Sequence, residues 1–230
     1  MRMVAVVLGG GTGQRLGADQ PKQLLVLGGK TLISHCVDAF ASASGVDEIL
    51  VVMAAGYIAQ VKEMLAGCSK VTAVIEGGAT RSDSVRAALA AIGPLGPDVG
   101  VLLHDAARPL IDHSVIAACV SALGTYDAVG TAIPSSDTVV FAADGVMSHV
   151  PPREQLWRCQ TPQCFRLPVI VRAHELAAAD PEYTPTDDCG VVLRYLPDVP
   201  VHIVQGSERN IKVTFPQDLP VAEALLNRTS

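Results

Sequence analysis

The residues best suited to chemistry lie near the start of the chain, in the segment GGGTGQRLGADQPKQLL at positions 9–25. Its glycines let the backbone approach a phosphate closely, and its consecutive amides can form a concave anion-binding surface. Arg15 and Lys22 add two cationic donors to the same segment. The segment therefore predicts a phosphate-binding loop that follows a first strand.

Two commoner glycine loops do not fit this segment. Residues 9, 11 and 14 are Gly, Gly and Gln, so the dinucleotide pattern GxGxxG is absent, and no GxxxxGK occurs. Pro21 prevents a helix from running through, which predicts an open connection of about twenty residues, a length typical of functional loops. The simpler interpretation is a glycine-rich surface turn that carries two solvated cations.

A second glycine cluster, GGATRSDSV at positions 77–85, follows another apolar run. It places Gly78 and Ser84 beside the end of a predicted strand. The simpler interpretation is a loop and a helix start capped by Ser82 or Asp83.

The segment HDAARP at positions 104–109 places Asp105 directly after a buried strand. A carboxylate there can hold Mg²⁺ through oxygen, while Arg108 faces an anion. Taken alone, Asp105 could equally be an ordinary acidic residue at a strand end.

A distal set of polar residues completes the candidates: Arg153, Thr161, Thr186 with Asp187 and Asp188, and Lys212. These also have simpler interpretations, because Thr186 could cap a helix and the basic residues could be solvated.

Apolar runs of strand length recur along the chain and predict the elements that position these residues. They cover residues 4–8, 48–54, 71–76, 99–104 and 127–133. Their nearly continuous hydrophobicity predicts parallel strands covered on both faces. Helices are predicted to begin after Thr31, Ser82 and Asp112.

This alternation predicts an α/β fold with a doubly wound, mostly parallel, Rossmann-like sheet. Ligands of such sheets lie beyond the carboxyl ends of the strands, here the loops after Leu8, Glu76, His104 and Ile133. Residues 137–150 break the alternation with two β-rich halves around Asp144-Gly145, which predicts a hairpin. An isolated hairpin is marginal in water, so it should pack on the protein body or on a second subunit. We expect one domain over residues 1–230.

Composition excludes several classes of function. The chain has 230 residues, 49% of them hydrophobic, and a net charge of −6 without a basic run, which argues against nucleic-acid binding. No apolar run approaches the about 20 residues needed to span a membrane. Six single cysteines without a zinc-site pattern, and a first strand in place of a signal peptide, predict reduced thiols and a cytoplasmic protein.

The order of the motifs resembles a known family. The glycine loop with Arg15, PKQ at Pro21, the 77–85 cluster, LHDAARP at Leu103, TPQ.F at Thr161, TD at Thr186 and NIKVT at Asn210 resemble 2-C-methyl-D-erythritol 4-phosphate cytidylyltransferases. The resemblance covers nearly the whole chain. The same motifs are similar to those of ribitol-5-phosphate cytidylyltransferases.

The resemblance implies a homodimeric, CTP-dependent nucleotidyltransferase that uses Mg²⁺ and a polyol phosphate, with residues 137–150 as a dimerisation arm. It implies that Arg15 and Lys22 are catalytic and that Asp105 binds the metal. The nucleotide would contact Gly9, Gly10, Gly11, Gly13, Gly78 and Ser84. The acceptor phosphate would be bound by Arg108, Thr138, Arg153, Thr161, Thr186 and Lys212, with Thr138 and Arg153 reaching the site of the partner.

One departure bears on the acceptor. The methylerythritol enzymes usually carry Pro-Ala-Ala-Gly where this chain has Leu8-Gly9-Gly10-Gly11, a form closer to ribitol enzymes. By contrast, Ala106-Ala107 resembles the methylerythritol branch. The first glycine loop by itself would also fit nucleotidyl transfer to a hexose 1-phosphate with another base. A nucleotide-binding regulator that keeps the fold without catalysis is a further class of function to be tested.

Overall fold

A computed structural model of the chain describes residues 1–11 and 20–227. Its centre is a seven-stranded sheet with the order β11-β7-β10-β6-β1-β4-β5, accompanied by two small two-stranded sheets, β2-β3 and β8-β9. The strands are β1 Arg2–Gly9, β2 Val26–Leu27, β3 Lys30–Thr31, β4 Glu48–Met53, β5 Val71–Glu76, β6 Val99–Asp105, β7 Ala128–Pro134, β8 Phe141–Ala143, β9 Val146–His149, β10 Trp157–Arg166 and β11 Val201–Gln205.

The central sheet is mostly parallel, as predicted. β1 pairs in parallel with β4 and β6, β4 with β5, and β7 with β11. All five predicted strands are present. Two strands were missed, β10 and β11, and β10 runs antiparallel between β6 and β7. The fifth predicted strand, β7, is therefore separated from the others by a strand of opposite direction.

Seven helices connect and cover the strands in the described ranges. They are α1 Leu32–Ser42, α2 Ile58–Met64, α3 Arg81–Ile92, α4 His113–Leu123, α5 Leu167–Ala178, α6 Asp188–Tyr195 and α7 Asp218–Leu226. Thr31 caps α1 and Asp112 occupies the capping position of α4, as predicted. The predicted start at Ser82 is wrong, because Thr80 caps α3 and forms a reciprocal capping box with Asp83.

Two hydrophobic cores lie on opposite faces of the sheet, and β1 contributes to both. Met3, Ala5 and Val7 pack with α1 and α4, whereas Val4 and Val6 pack with α3, α5 and α6. Each fully buried aliphatic side chain contributes about 1.5–3 kcal/mol relative to an exposed one. Burial on both faces holds the central strands rigidly in place. The candidate site lies at the carboxyl ends of these strands.

The predicted hairpin is present as β8 and β9, which pair only with each other among the described strands. Asp144 and Gly145 both have positive φ, 51° and 78°, the conformation that a two-residue type I′ turn requires. Every residue of the two strands is exposed. The chain body therefore does not bury this hairpin.

Only the two ends of the connection after β1, which was predicted to be open, lie within the described residues. A single 3₁₀ turn covers Lys22–Leu24, and the short β2-β3 pair follows it. Gly13 and Arg15 lie outside the described residues. All six cysteines are free thiols. In the described part of the chain, no helix is both long and apolar enough to cross a membrane.

Candidate active site

The candidate site lies at the carboxyl ends of β1, β5 and β6. From β1 the chain proceeds to β4 and β5 on one side and then returns with β6 to the other side of β1. The strand order thus reverses between β1 and β6, where doubly wound sheets bind their ligands. The loops after Leu8, Glu76 and His104, singled out from the sequence, meet at this place.

A cavity of about 420 Å³ opens at this reversal point. Three cationic side chains, Lys22, Arg81 and Lys212, face one carboxylate, Asp105, in its wall. The cavity is therefore locally cationic in a protein of net charge −6. Its wall includes seven of the residues predicted from the sequence: Gly10, Gly11, Lys22, Gly78, Ser84, Asp105 and Lys212.

Close packing accounts for two of the glycines in these loops, Gly10 and Gly78. A Cβ on Gly10 would lie 2.6 Å from Ser84 Oγ, and a Cβ on Gly78 would overlap the side chain of Asp83. Ser84 Oγ accepts a hydrogen bond from Gly78 N at 3.2 Å and donates one to Thr80 O at 3.1 Å. Ser84 therefore fixes the second glycine loop against the first.

Gly9 is buried at the end of β1 and is not among the residues that line this cavity. Gln23 ties the end of β1 to the loop, because its Nε2 donates to Gly9 O and, at 2.8 Å, to Gly11 O. This buried amide belongs to the PKQ motif, but no role was predicted for it. Lys22 Nζ donates to Val213 O at 3.1 Å. That contact brings Lys22 to the segment that carries Lys212.

Asp105 is held between two cations. Its Oδ1 accepts from Arg81 Nε at 3.1 Å and its Oδ2 from Lys212 Nζ at 2.7 Å. Burial alone would raise the pKa of Asp105, but Arg81 and Lys212 outweigh burial and hold the pKa well below its usual range. Asp105 is therefore an ionised, oriented carboxylate.

The donor set bears directly on the predicted metal role of Asp105. Among the described residues, no group of three or more His, Cys, Asp or Glu side chains could hold an ion by itself. Mg²⁺ is usually bound by only one or two carboxylates, together with waters and substrate phosphates. Asp105 fits Mg²⁺ only if a nucleotide phosphate supplies further oxygens and if Arg81 or Lys212 yields a carboxylate oxygen.

Thr161 and His104 position Asp105 from behind. The Thr161 hydroxyl accepts from Asp105 N at 3.1 Å and donates to His104 Nδ1 at 3.0 Å, while His104 Nε2 donates to Arg108 O at 3.0 Å. These partners match a neutral imidazole with its proton on Nε2. Burial lowers the pKa of His104 to about 4, so the ring is neutral at pH 7.

A second cavity of about 210 Å³ adjoins the first and shares Arg81, Asp105 and Lys212 with it. Arg108 is anchored there by hydrogen bonds to Asn210 O at 2.7 Å and Cys159 O at 3.3 Å. The wall of this second cavity includes four of the six residues predicted to bind the acceptor phosphate: Arg108, Thr161, Thr186 and Lys212.

The structure does not bring the other two acceptor residues to these cavities. Thr138 and Arg153 are exposed at the base of the β8-β9 hairpin, and neither lines the two cavities described here. Arg153 Nη1 lies 3.5 Å from Ser136 O, a long contact. Within one chain, these two residues belong to a different surface.

Sequence reasoning missed the buried amides that support the second cavity. Gln163 Oε1 accepts from the backbone of Asp188 at 2.9 Å and of Cys189 at 3.0 Å, and so fixes the start of α6. Asn210 Nδ2 donates to Thr161 O at 2.8 Å. Asp187, not Thr186, caps α6. The signal available was that Gln163 and Asn210 stand within the apolar TPQ.F and NIKVT motifs.

The reversal of strand order and the cationic cavities at that point define a doubly wound α/β protein with a site for a phosphate-bearing ligand. The sequence model of the family described as 2-C-methyl-D-erythritol 4-phosphate cytidylyltransferase (IspD) matches residues 3–228. The chain belongs to this enzyme family.

The chain is similar to individual relatives with two different names. The chain is 53% identical to a 2-C-methyl-D-erythritol 4-phosphate cytidylyltransferase of Thermobifida fusca, over 98% of this chain and 93% of the relative. It is also 35% identical to a bifunctional ribulose 5-phosphate reductase/CDP-ribitol pyrophosphorylase of Haemophilus influenzae. That match covers 99% of this chain and 48% of the relative. The crystal structure of a 4-diphosphocytidyl-2C-methyl-D-erythritol synthase from Anaerococcus prevotii superimposes with a TM-score of 0.88 at 27% identity, covering 99% of this chain and 96% of that one.

Proposed function

We propose that the protein transfers CMP from CTP to 2-C-methyl-D-erythritol 4-phosphate and releases pyrophosphate. The observation that carries the proposal is the full-length identity of 53% to a relative of that name, together with the cationic cavity at the reversal point of the sheet. We place CTP in the larger cavity, beside Gly10, Gly11, Gly78 and Ser84, and the acceptor phosphate in the adjoining one.

In the proposed reaction an oxygen of the acceptor phosphate attacks the α-phosphorus of CTP in line. The new bond joins that oxygen to the α-phosphorus, the bond from the α-phosphorus to the oxygen that bridges to the β-phosphorus breaks, and pyrophosphate leaves with the electron pair. No protein nucleophile is needed, since a phosphate monoester is already ionised near neutral pH; positioning and charge stabilisation supply most of the catalysis.

Lys22 and Lys212 enter the larger cavity from opposite ends of the chain and can neutralise charge on the nucleotide phosphates. Arg15, which belongs to the same glycine loop in sequence, is proposed to act with Lys22. We propose Asp105 as the protein ligand of Mg²⁺, which when bound supplies positive charge to the α-phosphate and the leaving group. Arg108 and Thr186 would hold the acceptor phosphate.

A ribitol 5-phosphate acceptor is the second candidate. It is favoured by Leu8-Gly9-Gly10-Gly11 and by the 35% identity to the CDP-ribitol pyrophosphorylase of Haemophilus influenzae. Pyrophosphate release is to be measured with each polyol phosphate, and with CTP, UTP and GTP. We expect turnover with CTP and methylerythritol phosphate at a kcat/KM at least about 100-fold above the other combinations. A preference for ribitol phosphate would show that ribitol 5-phosphate, and not methylerythritol phosphate, is the acceptor. CTP binding without pyrophosphate release would indicate a non-catalytic regulator.

We further propose a cytoplasmic homodimer in which the β8-β9 hairpin packs on a second subunit. The support is its exposed apolar surface, where Phe141 is 61%, Val146 69% and Met147 71% exposed. Exposed apolar surface of this kind is typical of protein interfaces. Thr138 and Arg153, at the base of the hairpin, would then reach the acceptor cavity of the partner.

Mixed dimers test this arrangement. Chains with Lys22→Ala and chains with Arg153→Ala, each inactive alone, are unfolded together and refolded as a mixture. If Arg153 acts on the partner's site, roughly a quarter of all sites should regain both groups, because about half the dimers are mixed and each contains one intact site. If mass spectrometry finds mixed dimers but the mixture stays inactive, the shared site is refuted.

A further inference from the structure

A network of five charged and polar side chains runs from the protein interior to the larger cavity. Its members, in order, are His174, Asp188, Arg81, Asp105 and Lys212. His174 Nε2 lies 3.1 Å from Asp188 Oδ1, and Asp188 Oδ2 lies 2.8 Å from Arg81 Nη1. The side chains of His174 and Asp188 are 2% and 1% exposed, against 29% for Arg81 and 43% for Lys212.

Arg81 is the centre of this network. Its Nε contacts Asp105 and its Nη1 contacts Asp188, so the planar guanidinium is held by carboxylates on two sides. An arginine fork fixed at two points has a defined plane, which a lysine ammonium cannot reproduce. Arg81 lines both cavities, so its orientation bears on the nucleotide site and on the acceptor site.

Fold stability alone explains this network poorly. A buried ion pair is often no more stabilising than apolar side chains of the same volume, although removing one partner alone is costly. The network requires that a carboxylate, Asp188, be buried. Two further contacts hold Asp188 in place: its side chain contacts His174 on α5, and its backbone N–H donates to Gln163. This geometry is suited to holding the Arg81 side chain in one orientation.

We propose that Arg81 is a positioning residue that fixes the Asp105 carboxylate for the reaction, and that Asp188, held by His174, sets the orientation of Arg81. This inference rests on the proposed function, because turnover is one of its readouts. It adds two residues to the machinery, Arg81 and Asp188, and assigns both of them an effect on the position of Asp105.

The decisive comparison separates stability from turnover. Arg81→Met alone leaves Asp188 buried without its cation and should unfold at a markedly lower temperature. The double variant Arg81→Met with Asp188→Asn removes both charges, so its midpoint of thermal unfolding should return to near the wild-type value. We expect its kcat to stay on the order of 10-fold or more below wild type, while KM for CTP changes by less than about threefold. Recovery of kcat together with stability would overturn the proposal.

Arg81→Lys serves if the double variant does not fold, because it keeps a cation between the two carboxylates but cannot span both. Its kcat should also fall on the order of 10-fold. The matched control is Arg86→Lys on the same helix, where Arg86 pairs with the exposed Asp83 outside both cavities and turnover should not change. Equal turnover of the two lysine variants would refute the role of Arg81.

A readout without turnover separates this inference from the proposed function. The Nε–H signal of Arg81, assigned by its loss in Arg81→Lys, should exchange with solvent on the order of 10-fold faster in Asp188→Asn than in wild type, since one of its two anchors is gone. An unchanged exchange rate would show that Asp188 does not hold Arg81. Absence of pyrophosphate release from the wild-type protein would instead refute the proposed function and leave this measurement valid.

Discussion

Thr161→Val removes the hydroxyl that links Asp105 to His104. Valine has nearly the same shape, but it can neither accept from Asp105 N at 3.1 Å nor donate to His104 Nδ1 at 3.0 Å. Asp105 and His104 are buried, so water does not readily replace the lost partner. An unsatisfied buried donor or acceptor costs about 1–3 kcal/mol, so the two together should lower the free energy of unfolding by roughly 2–6 kcal/mol.

Thr161→Ser is the matched control, because it keeps the hydroxyl and loses only a methyl group, worth about 1 kcal/mol. Urea unfolding at pH 7 measures both variants against wild type. We expect Thr161→Val to be less stable than Thr161→Ser by at least about 1 kcal/mol. Folded Thr161→Val should also lose on the order of 10-fold in kcat/KM, since the backbone of Asp105 is no longer fixed. If the two variants agree within about 0.5 kcal/mol, the hydroxyl does not make the two hydrogen bonds described.

Three further predictions concern neighbouring parts of the site. The pKa of His104 is about 4 in the fold against its ordinary value of 6.5, so the unfolded chain binds the proton more readily. The free energy of unfolding of wild type, measured by urea unfolding relative to that of His104→Gln, should therefore fall by roughly 2 kcal/mol when the pH is lowered from 7 to 4.5. A difference between the two proteins that does not change with pH would contradict a neutral buried ring. Lys22→Ala should lower kcat on the order of 100-fold at saturating CTP with an unchanged circular dichroism spectrum, and near-normal turnover would exclude its catalytic role. Gly10→Ala should weaken CTP binding in calorimetry on the order of 10-fold, because the new Cβ would lie 2.6 Å from Ser84 Oγ; an unchanged affinity would show that Ser84 moves without loss.

Strand-length apolar runs predicted the fold well, because a strand buried on both faces leaves a nearly continuous hydrophobic record in the sequence. The strand β10 left no such record. It contains Gln160, Thr161 and Gln163, polar residues that line the second cavity, and only part of it is buried. Polar function obscured the pattern that identifies a central strand.

Glycine spacing and a strand end singled out residues that line the candidate cavity, as at Gly10, Gly78 and Asp105. Arg81 lies within the 77–85 cluster, where no role was predicted for it, and its partner Asp188 was named only as an acid next to Thr186. Their pairing joins residues more than 100 positions apart, and no local pattern records such a contact. The same limit applies to Gln23 and Asn210, whose partners became evident only from the folded chain.

The larger cavity is lined by residues from both ends of the chain, from Gly10 to Lys212. This has a consequence for biosynthesis. A growing polypeptide presents Gly10 about 200 residues before Lys212, so this cavity stays incomplete until the segment that carries Lys212 has been made. If CTP binds in this cavity, as proposed, it cannot stabilise folding intermediates that lack this segment, although it would stabilise the folded protein by mass action. A truncation that removes residues from 212 onwards should leave a chain whose sheet strands are all present but whose melting temperature no longer responds to CTP.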